Sequence, residues 1–280
     1  MTHPLRFAAE IDAGTSSARP PRISFIVIQM SSSNNETTSV AGIIIGDELL
    51  SGKVKEDNSP FLIKELRRLG ARLEALHILP DQIPVLARYL REASEKQDYV
   101  VTSGGLGPTH DDRTMNAVAE AFDVDLIQND TYEETLRNVY GGDVDDHVLS
   151  MAKMPEGIEF EWGDMLDIPA ARFRNVFILP GNPELFRSKF NAIQDVLRTN
   201  QQFYCHRLFL DMSESSITVL LETLQNDFPS VDVGSYPCPW NDEYKEMVTI
   251  ESTSEYEVER ASEVLHDRID PERIVREEEE

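Results

Sequence analysis

The sequence is short of cysteine and of long apolar segments. Its two cysteines, Cys205 and Cys238, are too few for a disulfide framework or a four-thiolate zinc site, so we expect free thiols in a reducing compartment. The longest apolar runs, residues 23–28 and 40–45, are too short to cross a bilayer. We therefore expect a cytoplasmic protein with no membrane partner.

Positive charge is also scarce. The formal net charge is −25, and only 7 of the 26 basic residues are lysine. Such a surface repels the phosphates of nucleic acids and anionic lipids, so we expect neither as a partner. A phosphorylated ligand would need local compensation from backbone N–H groups, arginines or a divalent cation. The abundance of Asp and Glu beside so few lysines suggests a salt-rich cytoplasm, where salt screens the self-repulsion.

A chain of 280 residues predicts two unequal domains. Residues 1–39 lack the regular spacing of apolar residues that indicates a helix or a strand. We expect either a disordered tail or a translation start assigned too early, with Met30 as the true start. Residues 40–200 form the predicted larger domain and residues 201–272 a small α+β domain of βαββα order. Residues 273–280 are predicted to be a frayed acidic tail.

The larger domain shows strands alternating with amphipathic helices. Strand patterns at residues 40–45, 72–79 and 98–102 enclose helical patterns at 60–69 and 85–93, with Asn58 or Ser59 as the expected cap of the first helix. This alternation predicts an α/β fold of three layers, α/β/α, with a mainly parallel sheet.

Three polar loops follow the ends of predicted parallel strands: residues 46–52, 103–114 and 180–183. Asp81 follows a fourth strand end. Ligands of open α/β sheets bind at the carboxyl edge of the strands, so all four segments are expected to face one crevice.

The loop at 103–114 is predicted to bind an anion. Gly104, Gly105 and Gly107 let backbone amides approach a phosphate, and Thr114 begins a helix whose N-terminus favours negative charge. Asp111 and Asp112 either cap that helix or bind a hard cation such as Mg²⁺.

Other polar residues near these loops have the same ambiguity. Asp47 and Glu48 are turn residues or further cation ligands, and His110 is a loop residue or a ligand for a transition ion. The sequence has no Walker lysine after the glycine loop and no nucleophile elbow, which excludes P-loop ATPases and serine hydrolases.

Several motifs in order carry a family resemblance. They are Gly46-Asp47-Glu48-Leu49-Leu50-Ser51-Gly52, Asp57-Asn58, Pro80-Asp81, residues 103–114 and Leu179-Pro180-Gly181-Asn182-Pro183-Glu184. From residue 40 to 252 the chain resembles the molybdopterin-binding (molybdenum-cofactor biosynthesis) domain. The likeness is to the branch found in competence/damage-inducible protein A and in eukaryotic FAD synthase. The deamidase and synthetase domains of those proteins are not expected here.

The resemblance implies a fold, an assembly and an activity. The fold is the three-layer α/β domain, and the assembly is a homo-oligomer, a dimer or a trimer. In this branch the domain is associated with metal-dependent hydrolysis of a dinucleotide pyrophosphate, either ADP-ribose or FAD, the latter giving FMN and AMP. In molybdopterin-handling members the positions of Asp112 and Asp81 serve adenylyl transfer. Those members usually carry Arg-Asp where this chain has Asp111-Asp112, which argues against direct binding of molybdopterin.

The leading hypothesis is therefore a metal-dependent nucleotide pyrophosphatase. Its catalytic residues would be Asp112, Asp111 and Asp81, and Asp47, Glu48, Asp111 and Asp112 would hold Mg²⁺, Mn²⁺ or Co²⁺, with K⁺ as an additional candidate ion. The residues expected to bind the nucleotide are Gly46, Asn58, Gly104, Gly105, Gly107, Pro108, Thr109, Thr114, Pro180, Gly181 and Pro183. The alternatives are a non-catalytic nucleotide or pterin binder and a molybdenum-cofactor adenylyltransferase.

Overall fold

The computed structural model describes residues 37–109, 111–141, 144–163 and 167–279. Its strands are β1 (Ser39–Ile45), β2 (Arg72–Leu79), β3 (Tyr99–Ser103), β4 (Leu126–Gln128), β5 (Lys153–Pro155), β6 (Glu159–Glu161), β7 (Ala170–Phe173), β8 (Val176–Leu179), β9 (Tyr204–Leu210), β10 (Asp232–Pro237), β11 (Glu246–Ser252) and β12 (Ile274–Glu279). Its helices are α1 (Asp47–Leu50), α2 (Asn58–Arg68), α3 (Ile83–Lys96), α4 (Thr114–Phe122), α5 (Asp130–Tyr140), α6 (Asp146–Ser150), α7 (Pro183–Leu197), α8 (Glu214–Asp227) and α9 (Glu255–Arg268).

The large sheet has the strand order β2-β1-β3-β8-β7-β6. Strand β1 pairs parallel with β2 and β3, and β3 pairs parallel with β8. The pairs β8–β7 and β7–β6 are antiparallel. The prediction of a mainly parallel sheet is confirmed. The antiparallel edge lies within residues 141–174, whose sequence shows no regular helical or strand period.

Helices cover both faces of this sheet, which confirms the three layers. On one face, Leu62 of α2 and Phe190 of α7 pack against Phe177 of β8. On the other face, Leu90 of α3 and Val118 of α4 belong to a second buried cluster with alternate residues of the same strands. Strand β1 is buried along nearly its whole length because it lies between two parallel neighbours and under both helical layers.

The C-terminal segment forms a four-stranded antiparallel sheet of order β10-β11-β9-β12. Helices α8 and α9 supply Leu221, Leu224, Ala261 and Leu265 to its core. The predicted small α+β domain is confirmed in its elements.

The predicted acidic tail at 273–280 is wrong for residues 274–279. They form β12, which pairs antiparallel with β9. The guanidinium of Arg276 lies 3.8 Å from the ring centroid of Phe209, and the carboxylate of Glu277 accepts from His206 and His266 at 3.0 and 3.3 Å. Pairing along a free strand edge, together with these contacts, offsets the repulsion within the acidic run.

The start of the larger domain also differs slightly from the prediction. Strand β1 begins at Ser39, whose amide and hydroxyl both donate to the Asp98 carboxylate at 2.8 Å. Residues 1–36, which contain the rest of the expected tail and Met30, lie outside the described residues.

Two predictions from composition can be compared with the structure. Cys205 and Cys238 are both free thiols, as expected. Within the described ranges, no helix is long and apolar enough to span a bilayer.

Candidate functional site

A cavity of about 880 Å³ lies at the carboxyl ends of β1, β2, β3 and β8. The three predicted loops and Asp81 all contribute to its wall. The predicted site residues found there are Gly46, Glu48, Asn58, Asp81, Gly104, Gly105, Gly107, Pro108, Asp111, Asp112, Pro180, Gly181 and Pro183. Three others, Asp47, Thr109 and Thr114, are not part of this wall.

The glycine loop presents backbone amides without acceptors. Gly104 and Gly105 have positive φ angles of 111° and 66°, which let the chain turn sharply after β3. Among the described residues, nothing accepts a hydrogen bond from the amides of Gly105, Leu106 or Gly107. Successive unpaired N–H groups in such a turn form a concave anion site.

Thr114 stabilises the glycine loop through two hydrogen bonds to its backbone. Its side chain is fully buried, its hydroxyl donates to the Gly104 carbonyl at 2.8 Å, and its amide donates to the Gly105 carbonyl at 3.2 Å. A Cβ atom at Gly105 would collide with the Thr114 hydroxyl. The Thr114 hydroxyl therefore holds the loop in shape, and the predicted contact of Thr114 with a ligand stays a prediction.

Asp112 closes the other end of the loop. Its Oδ2 atom accepts from the amide of Thr109 at 2.8 Å and from the hydroxyl of Thr109 at 2.5 Å. The N-cap of α4 is Arg113, which makes no side-chain capping bond. Asp112 therefore stabilises the loop instead of capping the helix. A Cβ atom at Gly107 would lie 2.6 Å from Asp112 Oδ2, so the glycine leaves room for this carboxylate.

Asp81 lies among other acids. Its Oδ2 accepts a hydrogen bond from the Asp47 amide at 2.8 Å. Partial burial raises the pKa of the Asp81 carboxyl, the Asp47 amide bond opposes this, and the negative charges of Asp47, Glu48 and Asp111 raise the pKa further. This repulsion shows that the four acids share one region of negative potential.

No ready-made chelating cluster is found in the described part of the chain: no three Asp, Glu, His or Cys side chains there are placed to hold a metal ion. His110 lies outside the described residues. The cavity wall nevertheless offers carboxylate oxygens of Glu48, Asp81, Asp111 and Asp112, the donor type that Mg²⁺ and Mn²⁺ take. In chemical type this donor set fits a hard divalent cation.

Asn58 was predicted as a helix cap or a ligand contact, and the structure shows a different role for its amide. The side chain is buried, and its Nδ2 donates to Ser103 Oγ and to the Gly181 carbonyl, both at 2.8 Å. The start of α2 is held by Glu56, whose Oε1 accepts from the amides of Asn58 and Ser59. The predicted capping role of Asn58 and Ser59 is therefore wrong.

An apolar wall, which sequence reasoning missed, lies in the same cavity. We define it by the side chains of Tyr132, Val139, Tyr140, Val148, Met151 and Ile168. Burial raises the pKa of Tyr132 to about 12, and its ring stacks on Phe160 at 5.4 Å between centroids. The apolar residues of α5 and α6 were the available signal, but the irregular pattern after residue 140 gave no reason to place them at the sheet edge.

Lys189 is a further residue of the cavity that the sequence did not reveal. It is 9% exposed and lines the cavity, and its Nζ donates to the Pro169 carbonyl at 2.7 Å. Burial lowers the pKa of its ammonium group to about 8. Its position on the apolar side of α7, between Phe186 and Phe190, was the available signal.

The small domain has a second cavity of about 850 Å³, lined by residues of β9, α9 and β12. The two cavities have nearly the same volume, so volume does not indicate which of them is the functional site. Of these two, the sheet-edge cavity is the candidate site because its wall combines the glycine loop with the predicted carboxylates and the apolar wall.

The fold and this site define a molybdopterin-binding domain, and the chain belongs to that family. The family model described as "Probable molybdopterin binding domain" matches residues 41–199. A second model, "FAD synthase, middle domain", matches residues 202–278. Family membership fits a function related to a nucleotide or a cofactor.

Individual relatives agree with this assignment. A "Probable FAD synthase" of Caenorhabditis elegans is 31% identical over 243 residues, covering 77% of this chain and 47% of the worm protein. A "CinA-like protein" of Fervidobacterium nodosum is 30% identical over 173 residues, covering 59% of this chain and 42% of the relative. The chain thus spans less than half the length of both.

A solved structure shares the fold of the larger domain. It is the crystal structure of the protein CinA, of unknown function, from Thermoplasma acidophilum. The TM-score is 0.53 at 26% identity, with 57% of this chain and 98% of that chain covered.

Proposed function

We propose that this protein is a metal-dependent hydrolase of a dinucleotide pyrophosphate, acting on FAD or ADP-ribose. The observation that carries the proposal is the composition of the cavity wall. Unpaired loop amides, carboxylates and the apolar wall all line the same cavity. A dinucleotide has the matching chemistry, an anionic diphosphate between flat rings.

The diphosphate would lie on the amides of Gly105, Leu106 and Gly107. These donors need no countercharge, which matters in a cavity rich in carboxylates. Asp112 and Thr109 would keep the loop in its binding shape through the hydrogen bonds that join them. The apolar wall would take a flavin or adenine ring, and Pro180, Gly181 and Pro183 would bound the nucleoside.

Glu48, Asp111 and Asp112, with Asp47 beside them, would hold a divalent cation. Such an ion would polarise the phosphoryl oxygens and lower the pKa of a bound water. Because the described acids do not form a chelating cluster, the remaining ligands would come from the substrate diphosphate. The mutual repulsion of these acids around Asp81 favours the binding of a cation there.

Asp81 would orient the attacking water and accept its proton, because partial burial and the neighbouring acids raise its pKa and make it a stronger base. The water oxygen forms a bond to one phosphorus, and the bridging P–O bond breaks. FAD then gives FMN and AMP, and ADP-ribose gives AMP and ribose 5-phosphate. Both protons of the water are released once the two product phosphates are dianions.

A second candidate is a nucleotide-binding protein without turnover. The specific observation in its favour is that the described carboxylates do not form a chelating cluster. Such a protein would bind its nucleotide equally well in EDTA and would release no product.

Product analysis by chromatography tests the proposal. Purified protein is incubated with FAD, ADP-ribose, NADH and ATP, each with Mg²⁺, Mn²⁺ or Co²⁺ and again with EDTA. Metal-dependent AMP release from FAD or ADP-ribose is expected. If no substrate gives product with any metal, but nucleotides bind in thermal-shift measurements, the binding protein is favoured instead.

A further inference from the structure

The candidate cavity has a strong excess of negative charge. Its described wall contains the carboxylates Glu48, Glu56, Asp57, Asp81, Asp111, Asp112 and Asp167, but only two cationic side chains, Lys55 and Lys189, and no arginine. An anionic ligand entering this space is repelled at moderate distance. The positions of the two lysines therefore matter for what can bind.

The two lysines differ in surroundings. Lys55 has a side-chain exposure of 86% and pairs with Asp57 at 2.7 Å, so its charge is already used and screened by water. Lys189 is 9% exposed, and no described carboxylate lies within ion-pair distance of it. A buried ammonium without a counter-ion costs free energy, which its lowered pKa reflects.

The ammonium group of Lys189 also has unused donors. It carries three N–H bonds, and the described structure accounts for one, to the Pro169 carbonyl at 2.7 Å. Lys189 contributes both to the main cavity and to an adjoining cavity of about 230 Å³. Both cavities are also lined by Gly105, Leu106 and Gly107, so the lysine and the unpaired loop amides face the same space.

We propose that Lys189 binds a phosphoryl oxygen of the ligand's diphosphate and selects diphosphate-containing ligands over neutral nucleosides. This inference rests on the proposed function and names a residue that the sequence motifs do not contain. The glycine loop of this chain is not followed by a lysine, as the loop of a Walker motif is. The ammonium of Lys189 would supply the positive charge that the loop lacks. The hydrogen bond to Pro169 would keep the ammonium directed towards the loop.

Calorimetric titration of matched variants tests the inference. The probes are α,β-methylene-ADP, whose bridging carbon prevents hydrolysis, and adenosine, each with Mg²⁺. Lys189→Met and Lys189→Gln are expected to weaken binding of the methylene analogue roughly ten-fold or more, because a charged hydrogen bond is lost. Lys189→Arg should stay within about three-fold of wild type, since the charge is kept. Adenosine affinity should not change in any variant.

Lys55→Met is the control, because it removes the other cavity lysine, which is exposed and already paired. It should leave the affinity for the methylene analogue unchanged. Equal weakening by Lys55→Met would show a diffuse charge effect and overturn the assignment to Lys189. Equal loss of analogue and adenosine binding in Lys189→Met would show a purely structural role and also overturn it.

The remaining outcomes separate this inference from the proposed function. Wild-type binding that Lys189→Met leaves intact overturns the role of Lys189 and leaves the pyrophosphatase proposal standing. Failure of the wild type to bind the analogue overturns both. If the neutral variants do not fold, the comparison of wild type with Lys189→Arg still tests the inference. The affinity of wild type for the methylene analogue should fall between about pH 7 and pH 9.5 as the ammonium loses its proton. The affinity of the arginine variant should not fall in this range. Parallel pH profiles would contradict the proposal.

Discussion

The side-chain amide of Asn58 donates a hydrogen bond to the carbonyl of Gly181, 123 residues further along the chain, at 2.8 Å. The same nitrogen donates to Ser103 Oγ. One buried side chain at the start of α2 therefore fixes the end of β3 and the loop after β8 relative to each other. This link adds to the direct pairing of β3 with β8 in holding the glycine loop beside the Pro180–Pro183 segment.

Asn58→Ala should destabilise the larger domain. It removes one buried and one partly buried hydrogen bond, the latter to the Gly181 carbonyl, so we expect a loss of roughly 1–3 kcal/mol in the free energy of unfolding. Urea denaturation followed by circular dichroism measures it. Asn138→Ala, at an exposed position of α5, is the control and should stay within about 0.5 kcal/mol of wild type. Equal stability of the two variants would remove Asn58 from its linking role.

Tyr140→Ala should weaken nucleotide binding without unfolding the protein. Tyr140 is 57% exposed at the edge of the apolar wall, where a ring of the ligand is expected to stack. Loss of one aromatic contact is worth about 1 kcal/mol, roughly five-fold in affinity. Fluorescence titration with FAD measures this. Tyr256→Ala, with 60% exposure on α9 and outside the cavity, is the control. Unchanged FAD affinity in Tyr140→Ala would place the ring elsewhere.

Lys189 should make stability depend on pH in the alkaline range. Burial lowers its pKa from 10.5 in the unfolded chain to about 8 in the folded protein. Between these values the unfolded state binds more protons, so the free energy of unfolding rises with pH. Relative to Lys189→Met, wild type should gain roughly 3 kcal/mol as the pH rises through this window. Denaturation at several pH values measures the difference, and a constant difference would contradict the burial of a charged Lys189.

Arg276→Ala tests the correction at the C-terminus. If residues 274–279 form β12, loss of the contact between Arg276 and Phe209 should cost about 1 kcal/mol of stability. Arg198→Ala is the matched control. Among the described residues its one ion pair is with the exposed Asp195, so the substitution should cost about 0.5 kcal/mol or less. Thermal melts of both variants decide. If Arg276→Ala does not change the stability, the prediction of a frayed acidic tail at residues 273–280 would be favoured again.

Much of the fold could be predicted because its strands and helices have clean local patterns. The buried run of β1 and the amphipathic period of α2 each determine one element, and the glycine loop marks a strand end on its own. Convergence of the loops follows from parallel topology, since consecutive carboxyl ends meet at one edge. These statements need no knowledge of long-range contacts.

The parts that the sequence did not reveal depend on contacts between distant segments. Asn58 looks like a cap because Asx residues usually cap helices locally, but here Glu56 takes that place and frees the amide for Gly181. Lys189 is a single charge in an apolar helix face, and only the tertiary structure shows that it faces the glycine loop. The acidic run of β12 has no alternating pattern, so its pairing with β9 is visible only once the sheet is formed.

The most direct test of the central claim is AMP release from FAD by wild type and by Asp112→Asn, measured side by side by chromatography with Mn²⁺ present. The substitution keeps the size of the side chain but removes the charge expected to hold the cation. We predict metal-dependent AMP formation by wild type, and a loss of at least about a hundred-fold in Asp112→Asn with folding unchanged. Full activity in Asp112→Asn would contradict the proposed site, and absence of AMP from wild type with every metal would contradict the hydrolase itself.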